Sequence, residues 1–306
     1  MRTLTALIIL LLTCVTSEAQ QADTLSLAEV SVTAIKQSAS LLRDPVAVTI
    51  LDAKPIERLN IQGMKDMTDI APNFYMPEYG SRMTASVYVR GIGARIDQPA
   101  VGLNVDNVPY LNKNGFDFDM LDIQRIEVLR GPQSTLYGRN TIAGLINVYT
   151  LSPLAWQGVR VMAEGSLPGA GRAGAGVYHR FSPKLGMSVN GMWSRSHGWQ
   201  RNLHTGRMAD AASDLSGRWK TVFQPSAALS VENVLSANRS RQQGYPYTYA
   251  VTGTIDYNDP CHYRRTSVTD GLTVRWTRGN ISLASITGFQ FLHDDMMLDQ
   301  DFLTQS

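Results

Sequence analysis

The sequence predicts two folds in succession: a small α+β domain, followed by strands of an antiparallel transmembrane β-barrel. Up to residue 150 the chain mixes short β-branched runs with two helical segments. Beyond residue 151, apolar and polar residues alternate strictly over stretches close to the 9–11 residues or so of a membrane-spanning strand. The connections between these stretches are also sorted by length, which is typical of outer-membrane barrels.

The composition narrows the class of protein. The chain has 306 residues, a formal net charge of +2, 43% hydrophobic residues and 18% charged residues. Its lysines and arginines form no run, so it lacks the basic stripe that a nucleic-acid partner requires. A charged fraction below the usual quarter is compatible with a lipid-facing band.

Residues 1–19 have the pattern of a secretory signal peptide. Arg2 precedes an apolar core from Leu4 to Val15, which is too short for the roughly 20 residues of a membrane-spanning helix. Ser17 and Ala19 supply the small residues of a cleavage site. We therefore predict cleavage after Ala19 and export of the chain.

Residues 20–40 are small and polar and end in "LAEVSVTAIKQSAS". Val30 and Val32 alternate with Ser31 and Thr33, which predicts a short extended segment. Such a segment with free edges can add itself to another protein's sheet. It can equally form the first strand of the following domain, and the local pattern leaves both readings open.

Residues 41–152 predict a compact mixed domain. "DPVAVTILDA" is strand-like, "KPIERLN" is a short helix, and "GMKDMTDIAPNF" is a second helix that ends before Pro72. Met64, Met67 and Ile70 share one face of that second helix. Four strand-like runs bounded by Gly, Pro or Asn follow: "SVYVRGIG", "VGLNVDNVPY", "RIEVLRG" and "GLINVYT".

Residues 153–306 predict about seven barrel strands. Their expected starts lie near Gly158, Ala173, Gly186, Asp214, Ala227, Gly271 and Asn280. Apolar residues occupy one face of these segments and polar residues the other. The apolar set includes Val189, Trp193, Leu215, Trp219, Phe223, Leu235, Leu283 and Phe289, and the opposite set includes Ser188, Asn190, Arg218, Lys220, Glu232 and Gln290.

The connections distinguish a barrel from a soluble β-sandwich, which would also alternate. "SPKLG", "QPS" and "RGN" are tight turns, whereas residues 198–213 and 239–269 are long and polar. A sandwich has no reason to sort its connections in this way. The odd number of strands leaves an unpaired edge, so we expect further strands beyond residue 306 to complete the barrel.

The segment "RIEVLRGPQSTLYGRNTIAGLINV" closely resembles the end of the plug domain of TonB-dependent outer-membrane receptors. "VYVRGIG" and "VGLNVDNVPY" are similar to two further plug motifs, and "EVSVTA" resembles the TonB box. A phosphate-binding loop fits this segment poorly, because Gly131 to Gly138 has the wrong length and no Lys-Ser/Thr follows. The resemblance implies a plug inside a barrel of roughly 22 strands.

The resemblance also implies site residues. The TonB-binding residues would be Glu29, Val30, Ser31, Val32, Thr33 and Ala34. Arg90 and Arg130, each directly before a glycine, occupy the positions of the family's plug arginines, which pair with wall glutamates to latch the plug. We expect those glutamates beyond residue 306.

Two plug excursions, residues 73–83 and 110–120, are the expected ligand-facing apex. The expected ligand contacts are Tyr75, Tyr79, Arg82, Tyr110, Asn112, Lys113 and Phe116. Arg82 and Lys113 suit an anionic ferric siderophore, and the rings suit stacking on catecholates. Asn104 and Asn107 stand where the family often has Tyr and Gly, so the geometry of this strand is expected to differ.

The function implied by the resemblance is TonB-dependent import of a ferric siderophore across the outer membrane of a Gram-negative cell. Its partners would be TonB with its inner-membrane energising complex, and membrane lipid. The ferric chelate would be a substrate, and no cofactor is expected. Import of haem, cobalamin or a glycan, the last with a surface lipoprotein, remains an alternative, as does a truncated, non-functional receptor.

An enzyme is disfavoured. The five histidines show no pair at metal-ligand spacing, and no Gly-x-Ser-x-Gly elbow is present. "HDD" at residues 293–295 fits solvent-facing charge better than a cation site. Cys14 leaves with the signal peptide, so Cys261 is expected to have no disulfide partner within the chain.

Overall fold

A computed structural model describes residues 31–32, 39–40, 47–61, 63–95, 98–116, 121–167, 169–244, 246–248 and 250–299. The chain divides into two units, residues 1–44 and 45–306. In the first unit, β1 (Ser31–Val32) pairs antiparallel with β2 (Ala39–Ser40). The predicted signal peptide lies outside the described residues. Within the described ranges, helices fall short of the length and apolarity that a membrane crossing needs.

The second unit begins with the α+β domain, which we define as residues 47–150. Its strands are β3 (Ala47–Asp52), β4 (Phe74–Tyr75), β5 (Tyr88–Val89), β6 (Ile92–Gly93), β7 (Val101–Val105), β8 (Val108–Tyr110), β9 (Ile123–Arg130) and β10 (Gly144–Thr150). Five of these strands form a mixed sheet in the order β3-β9-β10-β7-β8, and β4-β5-β6 form a small second sheet. β3 is an edge strand that pairs with β9.

Both predicted helices of the α+β domain are confirmed. The first is α1 (Ala53–Arg58), and the second is a 3-10 helix, Met64–Asp69, whose Met64 and Met67 are fully buried. Shorter helical turns lie at Arg82–Thr84, Lys113–Gly115 and α2 (Ser134–Tyr137). The buried faces of the helices and sheets share one apolar core, which holds the domain together.

The glycine-punctuated segment after β9 is a strand–turn–strand unit, as predicted. β9 and β10 pair antiparallel around the short helix α2. Gly138 lies in the left-handed region at φ +76°, which favours glycine. A Cβ on Gly144 would lie 2.6 Å from the carbonyl oxygen of Leu129, so only glycine permits this close approach.

The seven predicted barrel strands are confirmed. They are β11 (Gly158–Ser166), β12 (Ala170–Ser182), β13 (Leu185–Ser196), β14 (Ala212–Ser226), β15 (Leu229–Gln242), β16 (His262–Arg278) and β17 (Ile281–Met297). They form one antiparallel sheet in sequence order. β16 begins at His262 rather than near Gly271, because polar residues on both faces hide its upper part from a periodicity argument.

The connections are sorted largely as predicted. Residues 183–184, 227–228 and 279–280 form tight turns at one end of the sheet. Residues 197–211 and 243–261 form long connections at the other end. The first connection at that end, residues 167–169, is short, so the sorting holds from β13 onward.

The two faces of the seven-stranded sheet differ in polarity, and the predicted alternation is confirmed. Val189 is 56% exposed, Leu215 58% and Phe289 63%, all on the outer face. Arg218 and Lys220 face inward and are buried against the α+β domain. An apolar outer face and a polar inner face are what a barrel wall in lipid requires.

Candidate functional site

The α+β domain packs against the polar inner face of the sheet β11–β17, which we call the wall. Two groups of contacts join the domain to the wall. The first, which we call the anchored face, comprises the contacts of Asp106, Asp122 and Thr150 with β13–β15. The second, which we call the gated face, comprises the contacts of residues 53–61 with β11 and β12.

The anchored face begins at the tight turn between β7 and β8. Asp106 and Asn107 both lie in the left-handed region, at φ 48° and 71°. Asp and Asn tolerate this conformation better than other non-glycine residues, so Asn107 substitutes for the glycine expected there. The Asp106 carboxylate accepts hydrogen bonds from the Thr150 backbone N–H at 2.9 Å and the Thr150 hydroxyl at 2.6 Å.

Lys220 of β14 completes this site. Its Nζ lies 3.1 Å from Asp106 Oδ1 and 3.0 Å from Glu232 Oε1. The side chains of Lys220 and Asp106 are 4% and 2% exposed. Burial alone would raise the pKa of Asp106, but Lys220 and the bonds from Thr150 outweigh it and hold the pKa below its usual range. The buried charges are therefore paired.

A second buried pair lies beside the first. Arg218 of β14 forms an ion pair with Asp122, and the two side chains are 8% and 3% exposed. Asn190 donates to Asp122 at 2.7 Å, and the Nε of Arg218 donates to Ser236 at 3.1 Å. Both anchors thus place a carboxylate on the α+β domain and a cation on the wall.

Sequence reasoning missed these anchors. It assigned the latch to Arg90 and Arg130, which would place the cations on the plug side and the carboxylates on the wall, the reverse of the anchors. Arg130 Nη1 donates to the carbonyl of Pro72 at 3.2 Å, and its Nε is buried without a hydrogen-bond partner. Arg90 is exposed, at φ 53°. Neither arginine forms an ion pair within the described part of the chain, so their latch role stays a prediction. The signal that could have revealed the anchors is the position of Arg218 and Lys220, which the alternation of β14 places on the inner face.

The gated face is held by two arginines of the wall. Arg160 of β11 forms an ion pair with Glu57 of α1. Arg172 of β12 makes a two-pronged pair with Glu164, at 2.7 and 2.9 Å, and donates to Asn60 Oδ1 at 3.1 Å. These contacts are more exposed to solvent than the anchors, because the side chains of Glu57 and Glu164 are 58% and 37% exposed.

The predicted apex segments come together beside the long connection 243–261. Lys113 Nζ donates to Ser86 Oγ at 3.2 Å, three residues beyond the end of the first excursion. Ser81 donates to Gln242 of β15 at 2.8 Å, and Tyr247 donates to the carbonyl of Tyr79. Partial burial lowers the pKa of Lys113.

Aromatic residues line a cavity of about 410 Å³ next to this apex. The hydroxyls of Tyr79 and Tyr88 are 2.8 Å apart, and this hydrogen bond raises the pKa of Tyr88. The guanidinium of Arg95 lies 4.6 Å from the ring centroid of Tyr79. Tyr75 is 57% exposed. Tyr88 and Arg95 were missed by sequence reasoning, since neither lies in a predicted excursion.

One predicted ligand contact, Phe116, needs correction, and Tyr110 is less accessible than expected. Phe116 is 1% exposed and belongs to the core of the α+β domain, so it does not face a ligand here. Tyr110 is half-buried against the wall, where it hydrogen-bonds with Thr269 and Ser236, and burial raises its pKa. Asn112 is exposed. Aromatic content alone could not separate a core ring from an exposed one.

The remaining predicted site residues fall at the limits of the described chain. The side chain of Arg82 lies outside the described residues, as do Glu29, Val30, Thr33 and Ala34. Ser31 and Val32 have extended backbone in β1. Within the described ranges, no group of three or more His, Cys, Asp or Glu side chains is placed to hold a metal ion.

The chain was compared with known families and proteins. Residues 40–145 match the model of the TonB-dependent Receptor Plug Domain. The pesticin receptor of Yersinia pestis is 34% identical over 125 residues, which is 40% of this chain and 18% of that protein. The vitamin B12 transporter BtuB of Vibrio vulnificus is 24% identical over 248 residues, 75% of this chain and 39% of that protein.

Solved structures support the same fold. The ferric yersiniabactin uptake receptor FyuA from Yersinia pestis matches with a TM-score of 0.75 at 22% identity, over 83% of this chain and 42% of that one. The ferric-catecholate import receptor Fiu from E. coli K12 matches with a TM-score of 0.65 at 15% identity, over 83% and 39%. The chain therefore spans less than half the length of these relatives.

Proposed function

From the premise that this chain belongs to the TonB-dependent receptors of the Gram-negative outer membrane, we propose that it serves the energised import of a small ligand. The observation that carries the proposal is the docking of the plug domain, residues 47–150, on the polar inner face of a wall whose outer face is apolar. Separating either buried ion pair leaves unpaired charges in a dry site, which fits an opening step that is driven by an energy source.

For the ligand we propose a ferric siderophore. The apex presents the exposed ring of Tyr75, the paired hydroxyls of Tyr79 and Tyr88, and the cations Arg95 and Lys113. Aromatic rings and cations together suit an anionic chelate with aromatic iron-binding groups. The ferric yersiniabactin uptake receptor, whose fold this chain shares, is a receptor for a ligand of this class.

The partner we propose is TonB, bound through residues 29–34 by strand addition. Backbone hydrogen bonds would supply the affinity and the alternating side chains of this segment the specificity. A pull on this segment reaches β3 first, because β3 begins the folded plug domain.

The ligand is tested with the receptor produced in cells that lack their own uptake receptors. Radiolabelled ferric yersiniabactin and radiolabelled vitamin B12 serve as the two probes. We expect saturable uptake of the ferric siderophore that disappears when TonB is deleted. Uptake of vitamin B12 alone would instead establish cobalamin import, which the BtuB match over most of this chain favours. Uptake of neither probe, or uptake without TonB, would contradict the proposal.

The TonB-binding segment is tested with Val32→Pro. Proline removes a backbone N–H from the added strand, so we expect uptake to be lost while ligand binding at the cell surface is unchanged. Val32→Thr keeps the N–H and the β-branched shape, and serves as the control with normal uptake. Normal uptake by the proline variant would remove the assignment.

A further inference from the structure

Two cavities lie between the plug domain and the wall at the gated face. The upper cavity has a volume of about 730 Å³ and lies beside the apex residues Glu78 and Ser81. The lower cavity, of about 280 Å³, lies beside Ile56 and Glu57 of α1. Asn60, Glu164 and Arg172 line both, so the two cavities meet at these residues.

We propose that these two cavities are the closed form of the ligand's exit passage along the inner faces of β11 and β12. The proposal rests on the import function above and adds its route. Arg172, bridged to Glu164 and Asn60, is the upper gate, and the pair of Arg160 with Glu57 is the lower gate.

The lining suits a small hydrophilic molecule. Small wall residues, including Gly165, Ser166, Gly171 and Ser194, leave the upper cavity wide. Glu78, Arg172 and Asp214 make it polar. A metal chelate that carries charge and hydrogen-bonding groups would remain solvated along such a surface, whereas an apolar lining would strip its water at high cost.

The gates lie at residues 53–61, the part of the plug domain whose contacts with the wall are easiest to break. Glu57 and Asn60 follow directly after the edge strand β3, which pairs with β9. The Arg160–Glu57 pair is partly exposed, and Arg172 contacts the plug through a hydrogen bond to Asn60, so each contact contributes little to keeping the plug closed. The anchors of Asp106 and Asp122 are buried, and they hold the plug to β14. A displacement of residues 53–61 therefore opens this side without releasing the anchors.

The first experiment needs neither ligand nor TonB, so its failure is distinct from failure of the import proposal. The complete receptor is purified from outer membranes and inserted into planar lipid bilayers. We expect the double variant Arg160→Ala/Arg172→Ala to conduct ions where the wild type does not. Arg241→Ala/Arg264→Ala removes two arginines from outward positions of the same wall and should stay closed.

The proposal would be overturned if Arg160→Ala/Arg172→Ala folded normally and yet conducted no ions. Normal folding is shown by resistance to protease and by mobility on unheated gels. Equal conductance in the control variant would also overturn it, because the leak would then reflect general loosening. A conductance confined to the gate variant supports the passage.

A milder test covers the case in which the double variant does not fold. In a Cys261→Ser background, Asn60→Cys and Glu57→Cys are labelled separately by a membrane-impermeant maleimide added outside intact cells. We expect Asn60→Cys, in the upper cavity, to react, and Glu57→Cys, below the upper gate, to react slowly. Adding Arg172→Ala should accelerate labelling of Glu57→Cys by about fivefold, the population change expected when one partly exposed charged contact is lost. No acceleration would overturn the assignment of the upper gate.

Discussion

The anchored face and the gated face use the same chemistry, ion pairs between the plug domain and the wall, with opposite burial. At the anchored face, Asp106, Lys220 and the Asp122–Arg218 pair are almost inaccessible to water. At the gated face, Glu57 is more than half exposed. Since water screens an exposed pair and leaves a buried charge dependent on its partner, the two faces respond differently to the loss of one charge.

This difference assigns the two sides of the plug different tasks. Removing one member of a buried ion pair costs much free energy, because its partner remains as an unpaired charge in a site without water. An exposed pair opens and closes at little cost. One side can therefore hold the plug while the other yields, and the following predictions test that division from the largest effect to the smallest.

The largest effect is expected for Lys220→Met. It leaves Asp106 buried without its cation, so attachment of the plug should weaken by about 3–5 kcal/mol. The measurement is the urea concentration at which protease begins to cleave the plug of the purified receptor. Asp106→Asn/Lys220→Met removes both charges and should recover most of the loss. An unchanged midpoint for the single variant would show that this face does not anchor the plug.

Arg218→Met should have the next largest effect. It removes the cation beside Asp122, but Asn190 still donates a hydrogen bond to that carboxylate. We therefore expect attachment of the plug to weaken by about 3 kcal/mol, the lower end of the range for a broken buried pair. A double-mutant cycle with Asp122→Asn, read by the same urea assay, isolates the coupling. Additive effects in that cycle would mean that the two side chains do not stabilise one another.

Arg172→Ala should change attachment of the plug by less than about 1 kcal/mol, because Arg172 contacts the plug through a single hydrogen bond to the exposed Asn60, whereas its pair with Glu164 joins two strands of the wall. The urea midpoint should match that of Arg264→Ala, which removes an arginine from the outer face. A shift as large as that of Lys220→Met would erase the distinction between the two faces.

The smallest effect is expected from mild acid. Because the pKa of Asp106 is lowered in the folded state, its contribution is present above the ordinary carboxyl pKa and is lost only as the pH falls through the lower, folded value. The difference in urea midpoint between wild type and Asp106→Asn should therefore be the same at about pH 7 and about pH 5, because Asp106 stays ionised in the wild type at both values and the variant has no carboxyl to protonate there. A difference that vanishes at the lower pH would contradict a depressed pKa.

The fold was largely predictable because its signals are local. The alternation in β13 and β14, the tight turns and the glycine pattern from Gly131 to Gly144 depend on neighbours along the chain. The upper half of β16 was missed where polar residues such as Arg264 and Thr266 stand on the outer face. The apex was predicted in outline, yet Phe116 proved to be core, because whether a ring points inward depends on the packing of the whole domain.

By itself, the sequence determined that a small mixed domain precedes strands with one apolar face, since backbone periodicity and turn chemistry act over a few residues. Only the tertiary structure decided which charges meet. Asp106 and Lys220 are far apart in the chain, and the pairing of Asp122 with Arg218 depends on how the plug domain docks against the wall. Ion pairs are chosen by distance in space and by the exclusion of water, and neither is written in the spacing of residues along the chain.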